Sequence, residues 1–505
     1  MKRILDAALM KRADSYTIET IGIPSLTLME RAAFATADEI RKRFCDRQDE
    51  SRVLILAGCG NNGGDGIAAG RILEEYGFDV TICLAREDAT GSDGYRAQLS
   101  YAKNLGMAFV SVSEVSFADY GIIIDAIFGI GLSRDVTGIE ARLIEGANAA
   151  HAYRVAVDIA SGVSADRGLI MGCAFRAGLT VTFAYGKAGQ YFYPGASCTG
   201  ELEIRPIGIS MPLLHEEGLF LLDRSAFHSF PCRKQGGNKG TYGRVLVIAG
   251  SQNMYGACRF CAEAAYRSGA GLVEVMTDRV NRDLLMKDLP EAVMSLYDPD
   301  DANETVKLLN EALDRADAVL VGPGLGRTEL SKEIVRITLR KASCPVIIDA
   351  DGLRIVSEEM ALLETAANRI PVVLTPHPGE LGGLTGLSIE ALHHDRVKIV
   401  RDFAREHHVI LAAKDARTLV ALPDGRVFLN CTGNDGMGTG GTGDVLAGLI
   451  AGLTAQTKDP AVSTYTGVLL HGMMGDKART RLGERSLLAG DLLPEIASVM
   501  KELDK

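Results

Sequence analysis

Short, wholly apolar runs alternate with longer amphipathic segments along most of the chain. A stretch of helical spacing from about residue 5 to 45 comes first, and runs rich in valine, isoleucine and leucine follow at helix-sized intervals. Short runs without polar alternation are typical of parallel strands buried on both faces. The first series therefore predicts a parallel sheet with helices on both sides and strands at Val53–Ala57, Val80–Leu84, Ile122–Asp125, Val155–Asp158 and Leu179–Phe183.

A second series of strands begins after the alternation lapses between Ile207 and Pro231. Near its end, Pro423-Asp-Gly425 separates two apolar runs and predicts a hairpin. The two series predict an α/β protein of two domains with a boundary close to residue 220, the first being a doubly wound, Rossmann-like domain of three layers. The strands of the second series are predicted at Val245–Ala249, Leu272–Met276, Ala318–Val321, Pro345–Asp349, Val372–Thr375, Val409–Ala413, Thr418–Leu422 and Arg426–Leu429.

Composition and charge restrict the class of protein. The 505 residues are 47% hydrophobic and 24% charged, as is typical of a globular enzyme with large cores. The net charge is −11 and there is no long basic run, which argues against a nucleic-acid surface. No apolar run is long enough for a membrane span, and Asp6 interrupts the N-terminal segment before a signal-peptide core forms. We predict a soluble, cytoplasmic protein.

The ten cysteines are scattered along the chain. The closest pair, Cys258 and Cys261, has no second pair or histidine cluster that would complete a zinc site. We expect these two residues to be small apolar side chains on one helix. Such cysteine usage fits a reducing cytosol.

The segment Cys431–Gly448 is the most informative stretch of the sequence. It is dense in glycine, and Asp444 stands where an apolar helix begins. Glycines let backbone N–H groups turn toward a ligand, and the start of a helix adds unpaired N–H groups, so an anion binds favourably there. A carboxylate in this position is expected to be ionised and can orient or deprotonate a hydroxyl. The loop predicts phosphate chemistry on an alcohol, and the absence of a Walker sequence argues against a P-loop enzyme.

The segment Gly58–Gly63 matches the G-x-G-x-x-G pattern of dinucleotide-binding domains, after a strand and before a helix. Glu87 or Asp88 lies at the distance expected for the acidic partner of such a site. Two details argue against an ordinary dinucleotide site. A long helical segment precedes the strand, and Asp65 would repel a pyrophosphate.

Polar residues follow the ends of several predicted strands in the first domain. Asn62, Asp125, Asp158 and Ser161 are expected to converge at the edge where open parallel sheets bind ligands. An oxygen-rich cluster suits a hard cation, and one carboxylate near a substrate carbon could shuttle a proton. The alternative is that Asp125 and Asp158 only cap the following turns. Lys187 is expected to be a solvated loop lysine.

Three motifs of the first domain, Gly60-Asn-Asn-Gly-Gly-Asp-Gly66, Asp125-Ala-Ile-Phe-Gly-Ile-Gly-Leu132 and Val157-Asp-Ile-Ala-Ser-Gly162, occur in the order seen in the NAD(P)HX epimerase family, and residues 1–218 resemble that family. The resemblance implies that Asp158 is catalytic and that a potassium ion is held by Asn62, Asp125 and Ser161. Ala160 stands where the family usually has proline, which affects only the stiffness of that turn. The implied substrate contacts are Asn61, Asn62, Gly63, Gly64, Asp65, Gly129, Ile130, Gly131, Leu132, Ser133, Arg134, Asp135 and Asp158.

Two residues of the second domain follow strands in an informative context. His377 stands between two prolines that fix the backbone and could aim its imidazole at a ligand, although a structural role is equally consistent with the sequence. Lys414 ends a strand and could offer a point charge to a phosphate, or could face water. The glycine turns at Gly250, at Gly322 and before Asp444 are expected at one edge of the sheet.

These features, with Arg267-Ser-Gly-Ala-Gly-Leu-Val273 and Asp349-Ala-Asp-Gly-Leu353, resemble the NAD(P)H-hydrate dehydratase family, which has a ribokinase-like fold, over residues 225–505. Asn238, Arg354 and Asp415 stand where the family usually has histidine, asparagine and glycine. The carboxylate of Asp415 would be unfavourable beside phosphates unless it points away. The resemblance implies that Asp444 is catalytic, that Ala257, Gly324, His377 and Asp444 contact the substrate, and that Lys414, Asp415, Ala416, Arg417, Thr418 and Gly443 bind the nucleotide.

Together the two resemblances imply a bifunctional enzyme that repairs hydrated nicotinamide cofactors. It would interconvert the R and S forms of NADHX and NADPHX and dehydrate the S form with ADP, releasing AMP and phosphate, with K⁺ in the epimerase domain and Mg²⁺ in the dehydratase domain. We expect small-molecule substrates, no nucleic-acid or membrane partner, and a homo-oligomer. The alternative is a kinase for a sugar or vitamin precursor fused to a ligand-binding or protein-binding module.

Overall fold

A seven-stranded sheet organises the first of two units into which the chain divides in this computed structural model. The structure describes residues 1–44, 51–86, 90–211, 217–230, 233 and 235–503. The N-terminal unit comprises residues 3–215, and the C-terminal unit comprises residues 216–505 together with residues 1–2. Glu87 and Asp88, the acidic candidates for a dinucleotide site, lie outside the described residues.

The N-terminal unit alternates strands and helices after two initial helices. Its elements in chain order are β1 (Lys2–Leu5), α1 (Ala7–Glu19), α2 (Ser25–Phe44), β2 (Arg52–Ala57), α3 (Asn61–Glu75), β3 (Asp79–Leu84), α4 (Asp93–Asn104), β4 (Ala108–Val110), β5 (Ile122–Ala126), α5 (Gly138–Ala149), β6 (Tyr153–Val157), β7 (Leu179–Phe183), β8 (Gly186–Lys187), α6 (Ala196–Thr199) and β9 (Glu201–Arg205). The sheet has the order β4-β3-β2-β5-β6-β7-β9 with every pair parallel. A short parallel pair joins β1 to β8.

Alternate residues of β2 face two different cores. Val53 and Ile55 pack in a cluster with apolar residues of α2 and α3, whereas Leu54 and Leu56 pack in a second cluster with residues of α5. Helices therefore cover both faces of the sheet, because successive side chains of a strand point to opposite sides. The predicted doubly wound, three-layer α/β fold is confirmed.

The C-terminal unit contains a larger sheet with one antiparallel hairpin strand. Its elements in chain order are β10 (Gly218–Leu221), β11 (Arg244–Ile248), α7 (Tyr255–Arg267), β12 (Leu272–Asp278), α8 (Arg282–Asp288), β13 (Val293–Tyr297), α9 (Ala302–Leu313), β14 (Ala318–Val321), α10 (Glu329–Lys341), β15 (Val346–Ile348), α11 (Asp351–Ser357), α12 (Met360–Ala367), β16 (Val372–Leu374), α13 (Pro378–Thr385), α14 (Ile389–His394), α15 (Arg396–Glu406), β17 (Ile410–Ala413), β18 (Leu419–Ala421), β19 (Arg426–Leu429), α16 (Thr442–Thr457), α17 (Pro460–Leu482) and α18 (Ala489–Leu503). The strand order is β13-β12-β11-β14-β15-β16-β17-β18-β19-β10.

The predicted hairpin is present in this sheet. Strand β18 pairs antiparallel with both β17 and β19, whereas the other pairs of the series are parallel. Helix α16 is buried along most of its length and packs in one core cluster with α7. Cys258 and Cys261 of α7 lie within that cluster, so their predicted role as small apolar residues is confirmed.

Several strands escape the sequence pattern because they are not buried on both faces. Strands β9 and β13 contain mostly half-exposed residues and therefore carry no continuous apolar signal. Strand β10 lies where the sequence places the domain boundary, yet it pairs with β19 and brings Phe220 opposite Phe428. It belongs to the C-terminal sheet.

Candidate active sites

A cavity of about 570 Å³ opens at the carboxyl end of the N-terminal sheet, beside the first turn of α3. Its lining includes most of the predicted substrate contacts: Asn61, Asn62, Asp65, Gly129, Ile130, Gly131, Leu132, Ser133, Arg134 and Asp158. Asp135 lies at the exposed end of the same loop and is not part of the lining. The predicted residues therefore converge on one cavity, with three exceptions.

The other exceptions are Gly63 and Gly64, which are buried inside α3. A Cβ atom on Gly63 would lie 1.8 Å from the carbonyl oxygen of Gly58, and one on Gly64 would lie 2.7 Å from the Cε atom of Met29. The backbone contact at Gly63 is too close for any side chain, and a side chain at Gly64 would force Met29 to move. These glycines therefore allow α3 to begin tightly against β2 and α2, and they act through packing rather than by touching the cavity.

The first turn of α3 offers unpaired backbone donors to the cavity. Gly60 is the N-cap residue of this helix and supplies no side-chain hydrogen bond. The N–H groups at the start of an uncapped helix are available to an anion, and the positive end of the helix dipole favours one. This end of the cavity can therefore receive a negatively charged part of a ligand.

Asp158 follows β6 and adopts a left-handed backbone conformation with φ of 65°. Its Oδ1 atom accepts hydrogen bonds from Lys187 Nζ at 2.5 Å, from Thr182 Oγ1 at 3.0 Å and from the backbone N–H of Phe183 at 3.4 Å. The Lys187 side chain is only 1% exposed. The expectation that Lys187 is a solvated loop lysine is wrong, because this side chain is folded inward to pair with Asp158.

A second carboxyl group, that of Asp65, lies in the same cavity. Burial raises the pKa of Asp65 well above its usual range, and the negative charges of Asp158 and Asp14 raise it further, while Lys187 opposes the increase. Asp65 therefore retains its proton to higher pH than an ordinary aspartate. Carboxyl groups that share one site but differ in environment are a common arrangement for acid–base chemistry.

Asp125 lies beneath the cavity and is completely buried. Its two oxygens accept hydrogen bonds from Ser161 Oγ at 2.6 Å, from the Ser161 N–H at 2.7 Å and from the Ile127 N–H at 3.1 Å. Burial raises the pKa of Asp125 to about 6, and these hydrogen bonds oppose the increase. The capping role that the sequence left open is therefore present.

The same residues also fit a cation. The amide of Asn62 donates to the Phe128 carbonyl oxygen at 3.1 Å, and that oxygen also accepts from Ser161 Oγ at 3.3 Å. Asn62, Ser161, Asp125 and the Phe128 carbonyl thus form a connected group of oxygen-bearing residues. A carboxylate offers about four lone-pair positions, and three hydrogen bonds reach Asp125. The donors are oxygens and one carries a charge when ionised, which suits a hard cation.

In the C-terminal unit, three glycine turns meet at one edge of the sheet, as predicted. The N–H of Gly250 donates to the carbonyl oxygen of Pro323 at 2.8 Å, which joins the first two turns. Gly324 has φ of 61°, and a Cβ atom on it would lie 2.9 Å from the Cβ of Ala257. Both predicted contacts, Ala257 and Gly324, are therefore adjacent in the structure and close-packed.

Asp444 lies in the first turn of α16, which follows the third glycine turn. The N-cap residue of this helix, Gly441, supplies no side-chain hydrogen bond, so backbone donors remain for an anion. Burial raises the pKa of Asp444 to about 7; Asp349 and Glu380 raise it as well, and Lys414 opposes them. The expectation of a readily ionised carboxylate is corrected, because burial outweighs the favourable helix end.

Lys414 extends from the end of β17 toward Asp349 at the end of β15. Its Nζ atom donates to Asp349 Oδ1 at 2.7 Å, and the Asp349 side chain is 2% exposed. A Cβ atom on Gly443 would lie 3.2 Å from Lys414 Nζ. Lys414 therefore lies directly beside the glycine loop, and the alternative of a lysine that faces water is not what the structure shows.

His377 caps the helix that follows it. Its Nδ1 atom accepts the N–H groups of Gly379 and Glu380, at 3.0 and 3.3 Å, and its Nε2 atom lies 3.2 Å from Glu380 Oε1. The side chain is 48% exposed. The imidazole therefore has a structural role in α13, and its exposed face remains accessible to a ligand.

The predicted nucleotide segment begins at Lys414 and contains the unusual Asp415. The Oδ2 atom of Asp415 pairs with Arg396 Nη1 of α15 at 3.2 Å, and Oδ1 accepts the N–H of Ala416 at 2.7 Å. Thr418 Oγ1 donates to the Asp415 carbonyl oxygen at 3.2 Å, and Arg417 donates to the Cys431 carbonyl oxygen at 2.9 Å. The Asp415 carboxylate is thus neutralised by an arginine.

A small cavity of about 40 Å³ adjoins this segment. It is lined by Lys414, Asp415 and Arg417 and by apolar residues of α13, α14 and α15. The other two departures, Asn238 and Arg354, are exposed. Asn238 Oδ1 accepts the N–H of Gly240 at 2.9 Å and shapes a turn.

Two acidic residues, Asp349 and Glu380, belong to the site but were not among the predicted site residues. Both raise the pKa of Asp444, and each is held by a neighbour, Lys414 or His377. Asp349 directly follows β15, and Glu380 lies in the first turn of α13, which follows β16. These positions were the available signal, because the ends of parallel strands share an edge. Across the described ranges, no cluster of three or more histidine, cysteine, aspartate or glutamate residues could hold a metal ion.

Comparisons with known proteins agree with this geometry. The family model described as NAD(P)H-hydrate dehydratase matches residues 245–498, and the model of the YjeF-related protein N-terminus matches residues 25–189. The bifunctional NAD(P)H-hydrate repair enzyme of Moorella thermoacetica is 37% identical over 517 aligned positions, covering 99% of this chain and 97% of that protein. The chain belongs to the family of bifunctional NAD(P)H-hydrate repair enzymes. The repair enzyme of Coxiella burnetii is 35% identical, and the match covers 94% of this chain and 95% of that protein.

The C-terminal unit of the present chain also resembles a solved protein structure. A ribokinase-like superfamily protein from Enterococcus faecalis is 30% identical with a TM-score of 0.51, and the match covers 58% of this chain and 99% of that one. The expected ribokinase-like fold is confirmed. Family membership also supports a repair enzyme over the alternative of a sugar or vitamin-precursor kinase fused to a binding module. Within the described residues, no helix has the length and apolar character needed to span a bilayer.

Proposed function

We propose that this chain repairs hydrated nicotinamide cofactors by two activities, one in each unit. The N-terminal cavity interconverts the R and S epimers of NADHX and NADPHX, and the C-terminal site dehydrates the S epimer with ADP, yielding NADH or NADPH, AMP and phosphate. One observation carries this proposal: each unit has an aspartate, Asp158 or Asp444, at the ligand-binding edge of its own sheet and beside an uncapped helix start.

Epimerisation inverts the hydrated ring carbon by proton transfer at its hydroxyl group, and Asp158 supplies the base. Its carboxylate is anchored through one oxygen, and no described residue donates to the other oxygen, Oδ2, so that atom is available to substrate. Asn62, Asp125 and Ser161 would hold a potassium ion, which would supply positive charge to anchor and polarise the substrate. Asn61 and the loop 129–134 bind and orient the substrate in the cavity.

Dehydration must overcome the poor leaving ability of hydroxide. Asp444 aligns and deprotonates the hydroxyl while ADP transfers its terminal phosphoryl group to that oxygen. The ring nitrogen then expels phosphate, and loss of a ring proton restores the double bond. Backbone N–H groups of the glycine loop, with Lys414, stabilise the charge on the transferred group.

The Mg²⁺ required for phosphoryl transfer would be held mainly by the nucleotide. Mg²⁺ in such sites is bound through one or two carboxylates and substrate phosphates, so a dedicated protein cage is unnecessary. Asp349 and Asp444 are the carboxyl groups of this site that would bind the ion. The ion would offset negative charge on the phosphates. With a net charge of −11, the protein must hold its anionic ligands through such local features.

The test is to incubate the full chain with mixed NADHX epimers and ADP, and separately with ATP, and to follow NADH fluorescence. Recovery of both epimers as NADH with ADP establishes both activities. Recovery of the S epimer alone would refute the epimerase assignment, and a stable phosphorylated product without NADH would refute the dehydratase assignment. We further propose a cytoplasmic location and a homo-oligomeric state, which fractionation and light scattering would test.

A further inference from the structure

Lys187 is completely buried, yet its charged end lies at the edge of the N-terminal cavity. Its Nζ atom contacts three oxygens: Asp158 Oδ1 at 2.5 Å, Thr182 Oγ1 at 2.7 Å and the Phe183 carbonyl at 3.3 Å. An ammonium group has three protons, so these contacts use its full donor capacity. Burying a lysine is unfavourable unless the charge is paired, which indicates that this position serves a purpose beyond packing.

The backbone around Lys187 is fixed as well. Its N–H donates to Gln190 Oε1 at 2.8 Å, and Gln190 Nε2 donates to the carbonyl oxygen of Asp158 at 2.7 Å. Gln190 thus ties the main chain of Lys187 to that of Asp158, while the lysine side chain ties the two residues a second time. This double link holds Asp158 in its left-handed backbone conformation, which is rare for residues other than glycine.

We propose that Lys187 is a positioning residue for epimerisation. It fixes Asp158 through Oδ1 and leaves Oδ2 to face the substrate as the proton acceptor, while neighbouring Asp65 is the proton donor. The cation thereby decides which of the two carboxyl groups is the base and which is the acid. This inference rests on the proposed epimerase function of the cavity.

An acid and a base on the same cavity suit the chemistry of inversion. The hydroxyl proton moves to Asp158 as the bond between ring nitrogen and hydrated carbon breaks, and that carbon becomes an aldehyde. The bonding electron pair goes to the nitrogen, which takes the proton of Asp65. Rotation of the aldehyde group presents the other face of its carbonyl to the nitrogen. On ring closure, Asp158 returns its proton to the oxygen, and the nitrogen returns its proton to Asp65.

The electrostatic setting supports this division of roles. Burial and the charges of Asp158 and Asp14 raise the pKa of Asp65, so this carboxyl group keeps its proton to higher pH than an ordinary aspartate. Lys187 Nζ contacts Asp158 Oδ1 directly at 2.5 Å, so the buried cation has its counter-charge on this carboxyl group. The remaining charged side chains that line the cavity are Lys11, Asp14, Arg86, Arg134 and Glu140.

The test compares Lys187→Met with the wild type in the full chain, using purified R-NADHX with ADP. We expect the rate of R-to-S conversion to fall at least tenfold at pH 7, and the acid limb of the kcat/KM profile to move to higher pH. Dehydration of S-NADHX by the same sample should be unchanged. Lys187→Arg, which retains the charge, should keep the acid limb near its wild-type position.

A lowered rate with an unmoved acid limb would show that Lys187 only supports packing and would overturn the proposal. If Lys187→Met loses all epimerase activity, Thr182→Val provides the test. This substitution removes a neutral donor to Asp158 Oδ1 and preserves the shape of the side chain. We expect a smaller loss of rate and a small upward move of the acid limb, and an unaltered profile would overturn the proposal. A wild-type enzyme that does not convert R-NADHX would instead refute the epimerase function itself.

Discussion

The pH dependence of dehydration should respond in opposite directions to two neighbouring substitutions. The pKa of Asp444 is raised from its ordinary 3.8 to about 7, so ionising it costs about 4 kcal/mol more than in water. Asp349 raises this pKa and Lys414 lowers it. Asp349→Asn removes a negative charge and also frees Lys414 from its ion pair, so both effects favour ionised Asp444. Lys414→Met leaves the Asp349 charge uncompensated and has the opposite effect.

The expected size follows from the wild-type value. With a pKa of about 7, half of Asp444 is ionised at pH 7. If each substitution moves the pKa by about one unit, the ionised fraction at pH 7 becomes about nine-tenths in Asp349→Asn and about one-tenth in Lys414→Met. Since the base must be ionised to act, the acid limb should shift to lower pH in the first variant and to higher pH in the second.

The assay follows NADH formation from S-NADHX by the full chain at a fixed ADP concentration, with kcat/KM measured across the neutral pH range. Each profile is normalised to its own alkaline plateau, because Lys414→Met is also expected to weaken nucleotide binding. Conversion of R-NADHX to S-NADHX serves as the folding control. Acid limbs that move in the same direction, or that do not move, would refute the role of Asp444 as the base.

Three further outcomes are expected. Asp158→Asn should abolish R-to-S conversion while S-NADHX is still dehydrated, and Asp444→Asn should do the reverse; chromatography of the two epimers checks both, and unchanged conversion would exclude the assigned role. Gly63→Ala should destabilise the N-terminal unit by about 3 kcal/mol or more, because its Cβ would lie 1.8 Å from the Gly58 carbonyl oxygen. Gly131→Ala is the control, since nothing lies within 4 Å of a Cβ there. Thermal unfolding compares the two variants, and equal stabilities would contradict the packing argument. Replacing K⁺ by a bulky quaternary ammonium ion should slow epimerisation and spare dehydration, and equal rates in both salts would argue against the cation site.

Local patterns were sufficient to predict the two sheets and the positions of the key acids. Strands β7, β14 and β19 have the predicted bounds, because each is short, apolar and bounded by turn residues. Asp158 and Asp444 were predicted from their places after a strand and at a helix start. Such positions depend on a few consecutive residues, and the sequence displays them directly.

Features that depend on distant pairs were not predictable in this way. Lys187 was expected to face water, because no residue near it in the sequence indicates an ion pair. Its partner, Asp158, lies 29 positions earlier in the chain. The raised pKa of Asp444 has the same origin, since burial and Asp349 outweigh the local helix end. The strands at sheet edges lack an apolar run on both faces and were missed for that reason.

The ion pair between Asp415 and Arg396 shows how this protein accommodates an acid in the segment proposed to bind the nucleotide. The two residues are on different elements, and the arginine is 14% exposed. Substitution of either residue alone would break this ion pair. We therefore expect positions 396 and 415 to have changed together during divergence from relatives. Relatives with an acid at position 415 should have arginine at position 396, and relatives with glycine at position 415 should have a neutral residue at position 396.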